Sequence, residues 1–434
     1  MARDARSDQG SGENDAHGGR GTMPVVLVGT MDTKGHEFAF VRDRLRAEGI
    51  ACLVIDAGTL GPPVFAPDVV RAEVLRRAGS TEADLADRGE AVAKAAEGAA
   101  ALVADLEAMG KVQGVFGLGG SAGTTIGTAA MRAVPFGRPK VMVSTLASGQ
   151  MRPYVGGSDI ATFHPVADLA GLNRLTRTVL ANAAAAMAGM VRLGAVVPDS
   201  DDDSRPIVAA TMFGVTTPCV DRARARLVEN GCEVLVFHAT GVGGMAMEGL
   251  VRDGVVAGLL DLTTTELADE LVGGTLSAGP DRLEAATRRG LPQVVSVGAL
   301  DMVNFGPRAT VPDRFTGRHF HAHNPNVTLM RTTPEENRAL GRRIAAKLGR
   351  ATGPVVVLLP LRGVSALDAP GLPFHDPEAD AALFTEITAG LAGLANVRVV
   401  AREEHINDPD FANATADCLL ELMGRPGTLR EGPR

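Results

Sequence analysis

Short apolar runs alternate with helix-length segments along most of the chain, and this alternation restricts the fold more than any other feature. PVVLVGT (24–30), IACLVID (50–56), PKVMVS (139–144), PQVVSVG (292–298) and PVVVLLP (354–360) are apolar without a polar face. A strand apolar on both sides must be covered on both sides, which is the condition of a parallel sheet between helix layers. The segment HEFAFVRDRLRAEG (36–49) shows helical spacing through Phe40, Val41 and Leu45, and Gly49 ends it before the next apolar run. Residues 24–56 therefore read as a βαβ unit. Helices are expected around 67–78, 82–108, 167–191, 334–348 and 377–392.

The opening pattern returns once. RPIVAATMFGVTTPCVDRARARLVENGCEVLVFHATG (205–241) repeats the order strand, threonine-rich turn, helix, glycine, strand. Val26 and Val208, Gly49 and Gly231, and Asp56 and His238 are each 182 residues apart. The fold class expected is α/β, with two Rossmann-like domains of mainly parallel sheet related by a partial internal repeat. The acidic, proline-flanked stretch 197–206 reads as the linker between a domain at 23–196 and another at 207–423. Residues 1–22 are polar and glycine-rich, lack the apolar core of a signal peptide, and read as a disordered tail, with 424–434 as a flexible end.

Aromatic residues make up 3% of the chain and Trp is absent, so its cores must be built from Val, Leu, Ala and Ile. The net charge of −8, with no basic stripe, argues against nucleic-acid contact. No run of 18 apolar residues suggests a membrane span. Cys52, Cys219, Cys232 and Cys418 form no CxxC pair and suit a reduced, cytoplasmic setting.

Ligands of parallel sheets bind beyond the carboxyl ends of the strands, and the polar clusters fall there. GTMDTKG (29–35) joins the first strand to its helix, where unpaired N–H groups attract phosphate. Thr30 and Thr33 bring hydroxyls, Lys34 a point charge and Asp32 a carboxylate suited to Mg²⁺. Alternatively, Asp32 or Thr33 caps the helix. GLGGSAGTT (117–125) lets backbone approach closely and carries Ser121, Thr124 and Thr125, but lacks the GK[ST] ending of a P-loop. STLASG (144–149) would join these clusters in one crevice, with Ser158 and Asp159 as a lip.

HATGVGGMAME (238–248) offers a second glycine turn with His238 and Glu248. Gly241, Gly243 and Ala246 fit a dinucleotide fingerprint, with Asp261 as its acidic residue. His319, His321 and His323 alternate in HFHAHN and would share one face of a strand, as metal ligands or as surface residues. REEHIND (402–408) reads as a helix start capped by Asn407 or Asp408.

Several motifs in order resemble one family, the ATP-binding domain family of the plant tomato mosaic virus resistance protein, largely uncharacterised in bacteria and fungi. In the first half these are VGTMDTKGHE, GLGGSAGTT, RPKVMVSTLASG, DLAGLNR and NAAAAMAGM. In the second they are TMFGVTTPC, HATGVGGMAME, HNPNVTLMRTTPEEN, LPLRGVSALD and HINDPDFA, the whole covering about residues 24–423. The resemblance implies a two-domain Rossmann-like architecture, Mg-ATP binding and self-association, and the alanine-rich helix near 167–191 suits a homo-oligomer interface.

Carried over by motif, Gly29, Thr30, Asp32, Thr33 and Lys34 belong to the nucleotide site. Gly119, Gly120, Ser121, Gly123, Thr124 and Thr125 complete it, with Ser144 and Thr145 nearby. Some relatives carry a following TIM-barrel domain, whose activity is not expected of this sequence.

Three functions are consistent with these residues. One is a Mg-ATP-binding protein acting on an unidentified small molecule in an interdomain cleft, with His238 and Glu248 as an acid/base pair and Asp32 placing the metal. The second is a sugar-acid or acyl-group enzyme whose glycine loops hold an anionic substrate. The third is a nucleotide-sensing interaction module without turnover.

Overall fold

The computed structural model describes residues 23–85, 87–194 and 205–425. The tail at 1–22, nearly all of the linker and most of the C-terminal end lie outside the described residues. The chain divides into two compact units. The first comprises residues up to 133, 139–145 and 162–193, and the second comprises 134–138, 146–161 and everything from 194 onward.

In the first unit, β1 (Val25–Gly29), α1 (Met31–Ala47), β2 (Cys52–Asp56), α2 (Arg71–Arg77), α3 (Arg88–Ala108), β3 (Gly114–Gly119), α4 (Ser121–Arg132) and β4 (Lys140–Ser144) follow in sequence. Next along the chain come α5 (Arg152–Val155), which falls in the second unit, then β5 (Ala161–Phe163) and α6 (Arg174–Leu193). The five-stranded sheet has the order β2-β1-β3-β4-β5, with β1 parallel to both β2 and β3. Every residue of β1, β3 and β4 is buried. Each fully buried Val or Leu contributes roughly 1.5–3 kcal/mol, so the helices are held by the need to cover both sheet faces. Phe38, Val41 and Leu45 of α1 are fully buried. The expected long helix at 167–191 begins at Arg174 instead. Asn173 marks its start, its side-chain oxygen accepting the N–H groups of Leu175 and Thr176.

In the second unit, β6 (Ile207–Met212), α7 (Thr217–Glu229), β7 (Glu233–His238), α8 (Val242–Asp253), β8 (Gly258–Thr263), α9 (Glu266–Val272), α10 (Ala285–Arg289) and β9 (Gln293–Gly298) come first. An antiparallel insert follows, made of β10 (Met302–Phe305), β11 (Phe320–Asn324) and β12 (Val327–Arg331) in the order β10-β12-β11. Then come α11 (Pro334–Leu348), β13 (Val355–Pro360), α12 (Pro377–Leu391), β14 (Val397–Arg402) and α13 (Pro409–Leu422). The main sheet is parallel throughout, in the order β14-β13-β9-β8-β6-β7. NVTLMR (326–331) pairs antiparallel on both sides in the insert. Local signals set the helix starts. Thr333 and Glu336 form a capping box with Pro334 at the first turn, and Asp376 accepts the Ala379 N–H at 3.1 Å.

The sequence repeat has a structural counterpart. In each unit the first strand lies between the second and the third (β2-β1-β3 and β7-β6-β8). The pairing slips by one residue, however: Val26 faces Leu53, whereas Val208 faces Val234.

The second unit is built around buried charge. Arg282 has no exposed surface and pairs with both oxygens of Asp261, at 2.5 and 2.7 Å, and with Glu266 at 2.7 Å. Truncating one partner of such a cluster leaves the others charged and buried, at a cost of about 3–5 kcal/mol. Arg282→Ala is therefore expected to lower unfolding stability by that amount in urea melts. A loss under about 1 kcal/mol would contradict the role assigned to the pair network.

Two further carboxyls are buried with less compensation. Burial pushes Asp269 up to about 7 although Asn304 and the Leu276 N–H bond to it. Burial likewise pushes Asp301 up to about 7 against the pull of Arg331. A carboxyl whose folded pKa is raised binds its proton more tightly in the native state. The stability it contributes is complete below its unfolded pKa, about 4, and is lost as pH rises through about 7. Urea melts between pH 5 and pH 8 should show falling stability, and Asp301→Asn should flatten the slope.

Candidate functional site

At the carboxyl end of β1 the chain turns into α1 through Thr30. The Met31 N–H donates to Asp56 Oδ1 at 3.1 Å, and the first helical bonds run from Thr33 and Lys34 back to Thr30 O. Asp32 does not cap this helix. Its Oδ2 accepts the N–H groups of Leu60 at 2.7 Å and Gly61 at 3.1 Å, folding the loop after β2 over the first turn. Asp32 Oδ1 is buried with no hydrogen-bond partner among the described residues. The Thr33 hydroxyl bonds to that of Thr30 at 2.8 Å.

At the end of β3 the glycines divide by role. Gly119 has φ +152°, and a Cβ on it would come within 3.0 Å of Gly123 Cα. A Cβ on Gly123 would meet the Leu118 carbonyl oxygen at 2.8 Å. Gly120 differs: its φ is −82°, and a Cβ there would find only Thr145 Oγ1, at 3.8 Å. The N–H groups of Ser121, Ala122 and Gly123 precede the first bond of α4, from Thr124 N–H to Gly120 O at 2.8 Å, and so have no partner within the helix.

These two helix starts border one cavity of about 220 Å³ between the loops after β1 and β3, the point where strand order reverses. Thr30, Asp32, Thr33, Lys34, Gly119, Gly120, Ser121 and Gly123 all line it. The remaining residues expected there do not. Gly29 admits the Phe38 ring, which a Cβ would meet at 2.4 Å. Thr124 is buried and bonds to Gly120 O at 2.8 Å and to Ser144 Oγ at 2.7 Å, while Thr125 bonds back to Ser121 O at 2.9 Å. The Thr145 N–H donates to Gly119 O, outside the lining.

The sequence reading missed Thr59, Leu60, Arg88, Ala122 and Asp168, which complete the wall. Arg88 opens α3 behind the Asp87 cap, far in sequence from both glycine turns. Among the described residues neither Lys34 nor Arg88 is in an ion pair. The cavity thus presents two helix N-termini and two free cations against the carboxylates of Asp32 and Asp168, a setting suited to an anion.

The second glycine turn is built alike but closed. Gly241 and Gly244 at the start of α8 donate their N–H groups to Glu266 Oε1, at 2.7 and 3.0 Å. Asp261, the expected acidic residue of a dinucleotide site, is held by Arg282 and by the Thr211 hydroxyl at 2.7 Å. The chain's own carboxylate occupies the anion site, which removes the dinucleotide reading. Glu248 does not pair with His238. Its oxygens accept the N–H groups of Leu283 at 2.5 Å and Ala285 at 2.7 Å, and burial raises its pKa despite Arg282. His238 is exposed and stacks on Phe213 at 5.5 Å.

His319 and His321 rest edge-on against Phe374, at 5.6 and 6.1 Å. Among the described residues no group of three or more His, Cys, Asp or Glu side chains is arranged to hold a metal. No helix among them is long and apolar enough to cross a membrane.

Two family descriptions together match most of the chain. Residues 23–195 match the N-terminal domain of an uncharacterised protein family, UPF0261, and residues 205–423 match its C-terminal domain. The chain belongs to the UPF0261 family. A UPF0261 protein of Clostridium tetani is 48% identical over 402 residues, covering 92% of this chain and 98% of that one. The tomato mosaic virus resistance protein Tm-1(GCR237) of Solanum lycopersicum is 44% identical over 423 residues, covering 92% of this chain. The aligned part is 55% of the tomato protein, so the chain spans about half of that relative. Among solved structures, the UDP-N-acetylglucosamine 2-epimerase of Rickettsia bellii aligns with a TM-score of 0.23 and 10% identity, over 63% of this chain and 78% of that one. Membership in UPF0261 assigns no reaction to the cavity.

The glycine geometry makes a prediction of its own. Gly120→Ala should leave stability within about 0.5 kcal/mol of wild type, since open space receives the methyl. Gly123→Ala should lose about 1–3 kcal/mol, because its methyl meets backbone. Thermal melts of the two variants check the division.

Proposed function

We propose that the first unit binds the phosphate end of a nucleotide, with Mg-ATP as the ligand, for use on a small molecule. The observation that carries this reading is the contrast between the two glycine turns. In the second unit Glu266 fills the helix N-terminus at the glycine turn after β7, whereas in the first unit the glycine turn after β3 opens on a cavity flanked by Lys34 and Arg88. At about 220 Å³ the space is smaller than the roughly 300–1,000 Å³ of pockets that enclose a drug-sized ligand. It suits a phosphate chain, with the nucleoside outside it.

The residues fit Mg²⁺ of the kind held mainly by phosphate oxygens and water. Asp32 Oδ1 is the protein oxygen left over, and Oδ2 serves the loop. The backbone N–H groups of Ser121, Ala122 and Gly123 would take phosphate oxygens, and Lys34 would balance their charge. The tomato relative is named for virus resistance, and a nucleotide-sensing role without turnover is the second reading this favours. Self-association and a cytoplasmic setting belong to the same proposal.

Calorimetric titration with ATP and with tripolyphosphate, each with and without Mg²⁺, tests it. Both should bind wild type, adenosine should not, and Lys34→Ala should weaken ATP at least about tenfold, which is 1.4 kcal/mol, without lowering the melting temperature. Failure of both phosphates to bind folded wild type at millimolar concentration would overturn the reading. Tripolyphosphate binding without any preference for ATP would favour another anionic substrate, the sugar-acid or acyl-group alternative.

A further inference from the structure

A second cavity, of about 470 Å³, lies in the second unit beyond the carboxyl end of β13. It is larger than the phosphate-sized cavity and falls within the usual range for enclosing a small organic ligand. Its walls are partly hydrocarbon, from Leu361, Pro377 and Phe384, and its polar groups are Arg362, His375 and Asp380. The LPLRGVSALD stretch, to which the cavity at 30–34 and 119–123 gives no role, contributes Leu361, Arg362 and Gly363 to its lining.

The floor is firmly held. Gly363 has φ +128°, and a Cβ there would strike the Asp368 carbonyl oxygen at 1.8 Å, so the loop has one close-packed path. Asp368 Oδ2 accepts the Val364 N–H at 2.8 Å, and Ser365 Oγ donates to Asp301 at 2.7 Å. Arg331 of β12 reaches in from the insert and bonds to Asp380 Oδ1 at 2.8 Å and to Phe374 O at 2.7 Å. Asp380 is only 6% exposed, yet it lines the cavity. Asp380 also shares a side-chain hydrogen bond with Asp368, so the part of its carboxyl not taken by Arg331 stands between Asp368 and the cavity.

Charge sorts the ligand. Asp301, Asp368 and Asp380 are three buried carboxyls around a single buried cation, Arg331. They cannot all be ionised cheaply. Burial and the neighbouring Asp368 raise the Asp380 pKa, with Arg331 opposing. Of the three carboxyls Asp380 is the one that lines the cavity, and in its neutral form its O–H is shared between Asp368 and an oxygen placed there. Arg362, on the exposed rim, is in no ion pair among the described residues and presents a fork that matches a carboxylate. His375 stands beside it, its Nδ1 3.8 Å from Asp368 Oδ1.

We propose that this cavity is a second ligand site, for a small carboxylic acid with a carbonyl or hydroxyl oxygen beside the carboxylate and a branched or cyclic hydrocarbon body. Arg362 pairs with the carboxylate. Asp380 donates to the neighbouring oxygen, and Leu361, Pro377 and Phe384 cover the hydrocarbon. Neutrality of Asp380 is required, since an ionised carboxylate at that place repels the anion. The groups acting on Asp380 are Asp368 from the loop after β13 and Arg331 from β12, with Asp301 acting on Arg331 in turn and His375 lining the same cavity.

The probe is 4-methyl-2-oxopentanoate, titrated into the full chain by calorimetry and saturation-transfer NMR. 4-Methylpentanoate, 4-methylpentan-2-one and inorganic phosphate serve as comparisons. Saturable binding of the oxo acid is expected, several-fold weaker for the acid without the oxo group and at least tenfold weaker for the ketone without the carboxylate. Arg362→Gln, on the exposed rim, should weaken the oxo acid tenfold or more with an unchanged melting temperature. Wild-type binding should decline as pH rises above neutrality, while Asp380→Asn, which keeps a donor and cannot ionise, should bind over the whole range. The proposal is overturned if the oxo acid fails to saturate folded wild type, or if Arg362→Gln binds as well as wild type. It is also overturned if phosphate binds and the oxo acid does not, or if folded Asp380→Asn has lost binding at pH 6.

Discussion

The Arg282 guanidinium is the interaction on which the second unit is organised. It has no water to solvate it, so every donor must find an acceptor inside the protein. Asp261 at the core of β8 takes two of them and Glu266 at the start of α9 takes a third. That arrangement fixes Glu266 where its other oxygen closes the α8 N-terminus, and it brings Arg282 within 3.4 Å of Glu248, which caps the chain entering α10. One cation thus ties a strand and three helix starts together. The energy comes less from attraction in isolation than from the cost of leaving any member unpaired.

The same logic separates the two glycine turns, after β3 in the first unit and after β7 in the second. A helix N-terminus with unpaired N–H groups needs an anion, internal or external. The second unit supplies a carboxylate from its own chain. The first leaves its α4 N–H groups facing a cavity and keeps Lys34 and Arg88 beside it. Asp32, one of the two acidic residues of that wall, is turned mostly toward the loop amides of Leu60 and Gly61. It shapes the wall rather than neutralising the cations.

Much of this was legible in the sequence, and what was not has identifiable causes. The apolar runs without a polar face correctly called for parallel, doubly covered sheets, and the glycine before each second strand marked the recurring βαβ. The loop from Thr30 to Lys34 and the turn from Gly119 to Gly123 did converge, because parallel strands put their carboxyl ends on one edge. Thr124, Thr125 and Ser144 lie outside the cavity's lining: a hydroxyl in a first helical turn has a backbone carbonyl within reach, as Thr124 and Thr125 show, and Ser144 at the end of β4 meets the Thr124 hydroxyl. Glu266 and Arg282 left no local trace, since their meeting depends on packing between segments. NVTLMR looked like any buried strand, and nothing in its composition separates an antiparallel insert from the main sheet.

The carboxyls hidden around Arg331 and Asn304 also change what the molecule is to an electric field. The formal charge of −8 and the sequence isoelectric point near 5.7 count every Asp as ionised at neutral pH. With Asp269 and Asp301 titrating near 7, and Asp380 and Glu248 raised as well, the folded chain holds protons that its composition does not assign to it. Its native isoelectric point therefore lies above the sequence value. Unfolded chains release those protons and migrate as the more acidic species, so folded and unfolded protein separate by charge as well as by size.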